Sequence, residues 1–394
     1  MAVKGVFASD QNITGTRKGD FASALLQTMP TGTAPLLALS SGMQSADAQD
    51  TVVTWFEENH ISGRINVTNN ADVTTAFDVD DSSGIIPGQI MMNEESGEYL
   101  YVDAVPSATT LTVQRGFAGS AIVAIDGSST PVPIQRIGTA FEEGSAKPVA
   151  VANLGFPRFN YMQIFRNAWD VTGTVSSVEY YTGDLVAKNK GDASMFHAED
   201  IERSILWGKK TIGIQNGKPF RTLDGVITQI TENGGTVTAQ LTDTTWTEID
   251  SFLQTVFERN IKGKPNERLA FCGNTVISVL NQIARIDSVT NLNIVPTTTE
   301  FGMKINSWLT PYGDISLLTH PLMNESPYRT EELYLLHPGA MRTRWLRRTH
   351  EDNNDRDGTR AGADADFGVI TSEMSVEYKA AKTGGVFTGI NKAA

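Results

Sequence analysis

Cysteine is almost missing from the 394 residues: Cys272 stands alone. No intrachain disulfide can form, and a cysteine-rich metal site is excluded. Histidine is scarce as well. His60, His197, His320, His337 and His350 are scattered, and none falls in an H-E-x-x-H frame, so metal-hydrolase chemistry has no support. No G-x-S-x-G elbow occurs, and Cys272, in AFCGN at the end of a strand-like run, has no recognisable catalytic partner. Positive charge is in deficit, with 32 Lys and Arg against 45 Asp and Glu, a net charge of −13. A protein that grips nucleic acid through its phosphates carries the opposite balance. No run reaches the ~18 apolar residues of a membrane span. The opening MAVKGVFASDQNITG has no apolar core of the kind a secretion signal needs. A chain folded in a reducing cytoplasm, away from membranes and without a cofactor, is the expectation.

What is present is a folded-protein composition, 40% hydrophobic and 20% charged, with 35 glycines. It favours many short strands and turns over a helical bundle. Residues 1–50 are polar and weakly patterned apart from DFASALLQTM (Asp20 to Met29), where an N-cap and helical spacing predict a short helix. The rest of this stretch reads as an arm without a core of its own. DTVVTWFEEN is strand-like. Residues 63–131 then alternate apolar and polar residues between closely spaced turn signals, an all-β pattern. Leu100 with Val102 and Leu111 with Val113 point to one inner face, and Glu98 and Arg115 are expected to pair across neighbouring strands, a contact worth little if exposed.

From Asp192, Ala198, Ile201 and Ile205 recur at helical spacing, with Glu199, Asp200, Glu202 and Arg203 facing elsewhere. This predicts a long helix up to Gly208, with an interruption at Gly191. Residues 223–337 have an α/β texture. TWTEIDSFLQTVFERNI is a helix with Thr247 as candidate cap, RLAFCG a strand and NTVISVLNQIARI a second helix. WLTPYGDISLLTHPLM and EELYLLHP read as strands, and AMRTRWLRRTH and VITSEMSVEYKAA return to β.

Three local patterns bear on function. GIQNGKP resembles a phosphate loop only faintly: its spacing is wrong and Pro219 stands where Ser or Thr would reach the metal. In NNDRDGTRAGAD, Asn353, Asp355, Asp357 and Asp364 fall on ligand positions of a calcium loop and Gly358 on its glycine. Asn at the first position, the charged Arg360 and the lack of flanking helical patterns weigh against it, in favour of a solvated acidic loop. Arg342, Arg344, Arg347 and Arg348 precede Glu351, Asp352, Asp355 and Asp357. Adjacent opposite charges suit ion pairing across a subunit contact better than phosphate binding.

RFNYMQIFRNAWDVTGT, with Phe159, Tyr161, Phe165 and Trp169 beside Arg158 and Arg166, could stack on bases, line a pocket or fill space between protein surfaces. Its context favours the last. EEGSAKPVAVANLGFPRFNYMQIFRNAWDVTGT, followed in order by RTLDGV, FGMKINSWLTPYGDISLL, LYLLHPGAMRTRWLR and SEMSVEYKAA, resembles the major capsid proteins of tailed bacteriophages over roughly residues 135–390. PGQIMMNEESGEYLYV…LTVQRGFAGS is similar to a small β module of phage structural proteins, departing at Ser120 where Thr is common.

The resemblance implies the α+β fold of tailed-phage and herpesvirus capsids. Residues 1–50 would be an N-terminal arm, 51–62 and 132–157 an extended loop, and 63–131 an inserted β module. Residues 158–223 and 341–394 would form a peripheral domain whose spine helix is Asp192 to Trp207, and 224–340 an axial domain. It also implies a non-enzymatic shell protein of the virion, assembled in the host bacterial cytoplasm as hexamers and pentamers around double-stranded DNA. Portal, scaffold and decoration proteins are its expected partners, and the DNA is expected to make no sequence-specific contact. A cellular nanocompartment shell protein, or an α/β enzyme with an accessory β domain, is the alternative.

Overall fold

A computed structural model describes residues 35, 37–72, 74–180, 183–240, 242–286, 294–300, 303–352 and 364–391. The expected helix Asp20 to Met29 lies outside them. The chain divides into two compact units, Phe56–Arg158 and the residues on either side of it.

In the first unit, six antiparallel strands are ordered Arg64–Val67, Val132–Thr139, Gln89–Asn93, Tyr99–Ser107, Thr110–Gln114 and Ala76–Asp78. Side chains alternate across a strand, so Leu100, Val102, Leu111 and Val113 all fall on one face. There they join Val67, Phe77, Met91 and Ile134 in a single apolar core. Glu98 and Arg115 pair as the alternation predicts, but in the interior: their side chains are 0% and 3% exposed.

The second unit holds two large sheets besides a two-stranded hairpin. A four-stranded sheet runs Gln44–Asp47, Met341–Asp352, Ala365–Tyr378, Gln163–Thr172, the first pair parallel and the others antiparallel. The helix Leu185–Trp207 packs on it through Ala193, His197, Ile201 and Ile205. This helix starts seven residues earlier than the spacing from Asp192 suggests, because Asp184 caps it, accepting N–H bonds from Val186 at 2.8 Å and Ala187 at 3.3 Å. It passes through Gly191 unbroken. The expected solvent position of Glu202 is also corrected: the residue is fully buried.

The other sheet has seven strands, ordered Thr236–Ala239, Gly385–Thr388, Leu333–Leu336, Glu267–Cys272, Gly313–Thr319, Met303–Thr310 and Ile294–Glu300. After Ala365–Tyr378 the chain leaves the four-stranded sheet, and its strand Gly385–Thr388 joins this one between Thr236–Ala239 and Leu333–Leu336. Helices Trp246–Phe257 and Asn274–Ile286 flank the sheet; Ile249, Phe252, Leu253 and Val256 meet Ala270, Val276, Leu317 and Phe387 in its core. The first helix is capped by Thr245, not Thr247. Thr245 and Glu248 form a reciprocal capping box, two residues upstream of the expected cap. Pro321–Glu325, inside a stretch read as strand, is a short helix, since proline fits its first turn and ends the preceding strand.

The end of the presumed arm is not coreless. In Ala38–Gly42, a helix, Ala38 and Leu39 are buried among Ile201, Ile205 and Met323. Gln44–Asp47 follows as an edge strand, in register with Arg342–Trp345.

Candidate interaction surfaces

The arginine strand Met341–Asp352 keeps its charge at home. Its antiparallel register sets Arg342 opposite Glu377 and Arg347 opposite Glu373. Arg344 reaches diagonally to Glu377, and Arg347 Nε donates to Glu373 at 2.7 Å. At the sheet edge Arg342 donates to Gln44 at 3.1 Å and Arg348 to Asp47 at 2.9 Å. Partners among the acids that follow the strand, across a subunit contact, were the expectation. Within the chain, Arg344 and Arg347 pair instead with the cross-strand neighbours Glu377 and Glu373. Glu351 is itself engaged: Lys190 and the Trp169 indole hold its carboxyl below the usual carboxylate range. Asn353, Asp355 and Asp357, with Gly358, lie outside the described residues. Asp364 is described; its backbone oxygen accepts the Gly173 N–H at 3.0 Å. Among the described residues no group of His, Cys, Asp and Glu could hold a metal ion.

Half of the aromatic–basic stretch belongs to the interior. Along Gln163–Thr172, Phe165, Trp169 and Val171 face inward, whereas Ile164 and Arg166 are exposed. Phe165 meets the edge of His197, and Lys190 lies over Trp169. Phe159 is exposed, with the Lys210 ammonium 5.4 Å above its ring. Asn160, fully buried, joins three segments: its amide donates to the carbonyls of Asp224 at 2.9 Å and Val376 at 2.7 Å, and its oxygen accepts the Asp224 N–H at 2.7 Å. Base stacking therefore has few rings left to use.

The remaining chemical candidates are structural. Burial pushes the Cys272 thiol up to about 12, leaving it protonated and inert. His197 bridges Asn167 and Ser372, both at 2.7 Å, and burial lowers its pKa against the opposing pull of Asp200. His337, bonded to Asn260 and the Gly339 N–H, is lowered to about 4 by burial and then by Arg268.

One buried joint escaped the sequence reading. Glu202 accepts the Leu39 N–H at 2.7 Å and the Ser40 N–H at 3.4 Å, while His320 Nε2 faces it at 3.5 Å. His320 Nδ1 accepts the Leu322 N–H. A signal existed: Glu202 stands four residues after Ala198 and three before Ile205, on the stripe that the helix buries.

Two surfaces stand out for exposure. GIQNGKP is the tip of a hairpin, Thr211–Gln215 with Lys218–Thr222, turning at Asn216 and Gly217, both at positive φ. Ile212, Ile214 and Phe220 are exposed on it. In the other unit, residues 140–155 have no strand or helix and expose Phe141, Val149, Val151 and Leu154. Apolar surface of this kind marks contact sites.

A family model described as the SU10 major capsid protein matches residues 8–391. The chain belongs to the SU10 major capsid protein family. It is 28% identical, over 408 residues, to the major capsid protein of Pseudomonas phage PaMx41, covering 99% of this chain and 96% of that one. Among solved structures, the capsid of a native GTA particle superposes with a TM-score of 0.51 at 5% identity, over 99% of this chain and 100% of the other. The SrpI encapsulin of Synechococcus elongatus PCC 7942 gives 0.42 at 11% identity, over 61% and 78%, too low to carry an argument. The fold is that of tailed-phage capsids, as the sequence resemblance implied. The protein is the major capsid protein of a phage, a structural component of the virion built into a shell of many copies.

Proposed function

We propose that hexamers and pentamers of this capsid protein close an icosahedral head around the double-stranded DNA of a tailed phage. The observation that supports it best is the family match across nearly the whole chain, residues 8–391. Assembly takes place in the host bacterial cytoplasm, with portal, scaffold and decoration proteins as partners. Residues 1–50 act as the N-terminal arm, and 51–62 with 132–157 as an extended loop carrying the β module 63–131. Residues 158–223 and 341–394 form the peripheral domain around the spine helix. Residues 224–340 form the axial domain, which borrows Gly385–Thr388 for its sheet.

The charge of −13 suits this role. An acidic protein surface lets condensed DNA move past it without sequence-specific contact. Weak contacts repeated around a closed shell hold it together. Electron microscopy of the purified, concentrated protein tests the reading. Closed particles of uniform diameter are the expected result, and protein that stays dispersed with and without co-expressed scaffold would overturn it.

A further inference from the structure

The six-stranded sheet of the β unit spends only one of its faces on the core. Side chains alternate along a strand, and an antiparallel sheet carries polar groups on the face it turns to solvent. Gln89–Asn93 departs from this rule. With Gln89, Met91 and Asn93 buried, Ile90 and Met92 are left half-exposed on the outer face. Residues opposite one another in an antiparallel pair share a face, so Tyr101 and Tyr99, opposite Ile90 and Met92, extend the same surface. Tyr99 is 37% exposed. Phe117 stacks on Tyr101, their ring centroids 5.4 Å and their planes 24° apart.

The flanks of this surface are polar without being charged. Gln135 lies opposite Met92 on one side and Gln114 opposite Tyr101 on the other, and both are exposed. Gly138, opposite Ile90, adds no side chain. None of these paired positions is charged, in a chain where 20% of residues are. Along Tyr99–Ser107 the first charge is Asp103, at the bulge where the pairing with Thr110–Gln114 slips.

Charge complementarity therefore selects an uncharged partner. The negative face of an aromatic ring attracts polarised C–H groups, which the flat side of a sugar ring presents. Tyr99 and Tyr101 are two residues apart on one strand, about 7 Å, so a single extended chain of sugars can cover both. Glutamine amides donate and accept, as a partner rich in hydroxyl groups requires. We propose that this face binds an uncharged glycan, which stacks on Tyr99 and Tyr101 and hydrogen-bonds to Gln114 and Gln135. A flat, open face holds one such chain weakly. Repetition over a shell raises the avidity by ~10²–10⁴-fold. That gain rests on the shell reading, whereas binding by the single subunit does not.

Full-length subunits are run through native gels containing dextran, glycogen, hydroxyethyl cellulose or galactomannan, with anionic alginate as the control. At least one neutral polymer should retard the wild type, and alginate should not. Tyr99→Ala should restore free mobility, and Tyr99→Phe, which keeps the ring, should remain retarded. Unchanged hydrogen exchange in Leu100–Val102 shows that Tyr99→Ala leaves the sheet intact. Gln135→Ala, at an exposed side chain, is the second probe and should weaken the retardation. Closed shells should be captured on the same polymer, immobilised, at a subunit concentration ~100-fold below that needed for free subunits. Wild type that no neutral polymer retards, or Tyr99→Ala retarded as strongly as wild type, overturns the proposal. Stronger retardation by alginate means a charged ligand and overturns it too. Loss of closed particles in Tyr99→Ala, with wild type unretarded, gives the face to a protein contact. Retarded subunits whose shells are not captured overturn the avidity, because the shell then covers the face. Subunits that are retarded but form no particles overturn the shell reading and leave the glycan face standing.

Discussion

Replacing Arg115 with methionine removes one half of a buried, two-pronged ion pair. Arg115 Nε and Nη2 each donate to Glu98 at 2.7 Å. Nη2 also donates to the Val123 carbonyl at 2.6 Å, and the guanidinium lies 5.3 Å from the Phe77 ring. Without it Glu98 keeps, among the described residues, the N–H groups of Gly116 at 3.1 Å and Val123 at 3.3 Å. Breaking a buried pair from one side costs about 3–5 kcal/mol. At ~1.36 kcal/mol per decade, this is roughly two to four decades in the opening equilibrium. A unit of about 100 residues is stable by roughly 5–15 kcal/mol, so the β unit should stay folded but close to its limit.

Hydrogen exchange of the whole chain reads this directly in Tyr99–Gln114. Tryptophan fluorescence supplies the control, because all six tryptophans (Trp55, Trp169, Trp207, Trp246, Trp308 and Trp345) lie outside residues 56–158. Exchange should accelerate within the β unit while the tryptophan transition stays in place. The pH dependence has a definite sign. Burial pushes the Glu98 carboxyl up, but bonds from Arg115, Val123 and Gly116 more than offset it, and the net shift is downward. A depressed carboxyl gives stability that is present above its unfolded value, near ~4.3, and lost as pH falls through the folded one. In Arg115→Met the burial is no longer offset, so the sign reverses: the acid loss due to Glu98 should disappear, and protection of the β unit should fall as pH rises and its buried carboxyl ionises. Exchange within about threefold of wild type, or an acid transition that does not move, would refute the reasoning.

Two further perturbations probe the other unit. Glu202→Ala strands the Leu39 and Ser40 N–H groups, each orphan costing about 1–3 kcal/mol; amide exchange in Leu39–Asp47 should rise while Glu267–Cys272 holds, and unchanged protection there would show that apolar packing alone docks the segment. Arg268 is buried with no carboxylate partner among the described residues, donating to the carbonyls of Thr383 and Arg259 at 2.9 Å and Glu267 at 3.0 Å, with Phe257 against its face. Arg268→Met should lower the chemical denaturation midpoint by an amount worth ~1–3 kcal/mol per orphaned carbonyl, followed by tryptophan emission; an unmoved midpoint would mean that water replaces the guanidinium.

How far the sequence could be read follows from the range of the forces involved. Alternation acts over two residues, so the inner face of the β unit was visible in Leu100, Val102, Leu111 and Val113. Helical spacing acts over four, and it located the helices around Ile201 and Phe252. Caps depend on which hydroxyl reaches an N–H three residues on, and Thr245 and Thr247 both satisfy the composition. Strand order in the seven-stranded sheet depends on pairings such as Glu267–Cys272 with Gly313–Thr319, which no local pattern encodes. Buried charge was least legible. Glu202 is made tolerable by Leu39, 163 positions away, and Arg268 by Thr383, 115 away. A charged side chain without a visible partner reads as solvated, and only tertiary structure corrects it.

The arginine strand shows what that correction does to the assembly argument. Its residue types had been read correctly and its partners wrongly. Arg344 and Arg347 are spent on Glu377, whose side chain is fully buried, and on Glu373, 9% exposed. Pulling Arg347 away to serve a neighbouring copy would strip Glu373 of its ion pair, and pulling Arg344 away would leave buried Glu377 with Lys379 at 3.4 Å, each at a cost in stability. Arg348 and Asp47, 67% and 77% exposed, are the freely exchangeable pair of the strand, and exposed pairs are worth only about 0.2–1 kcal/mol. The strand can therefore add little to holding copies together. Strength must come from surface that the subunit leaves unsatisfied, and the hairpin at Ile212 and Ile214 and the segment around Val149 and Leu154 are such surfaces. Each contact of this kind is weak enough to break while a growing shell corrects its errors. Closure then multiplies it, because a subunit inside a complete shell must break all of its contacts at once to leave.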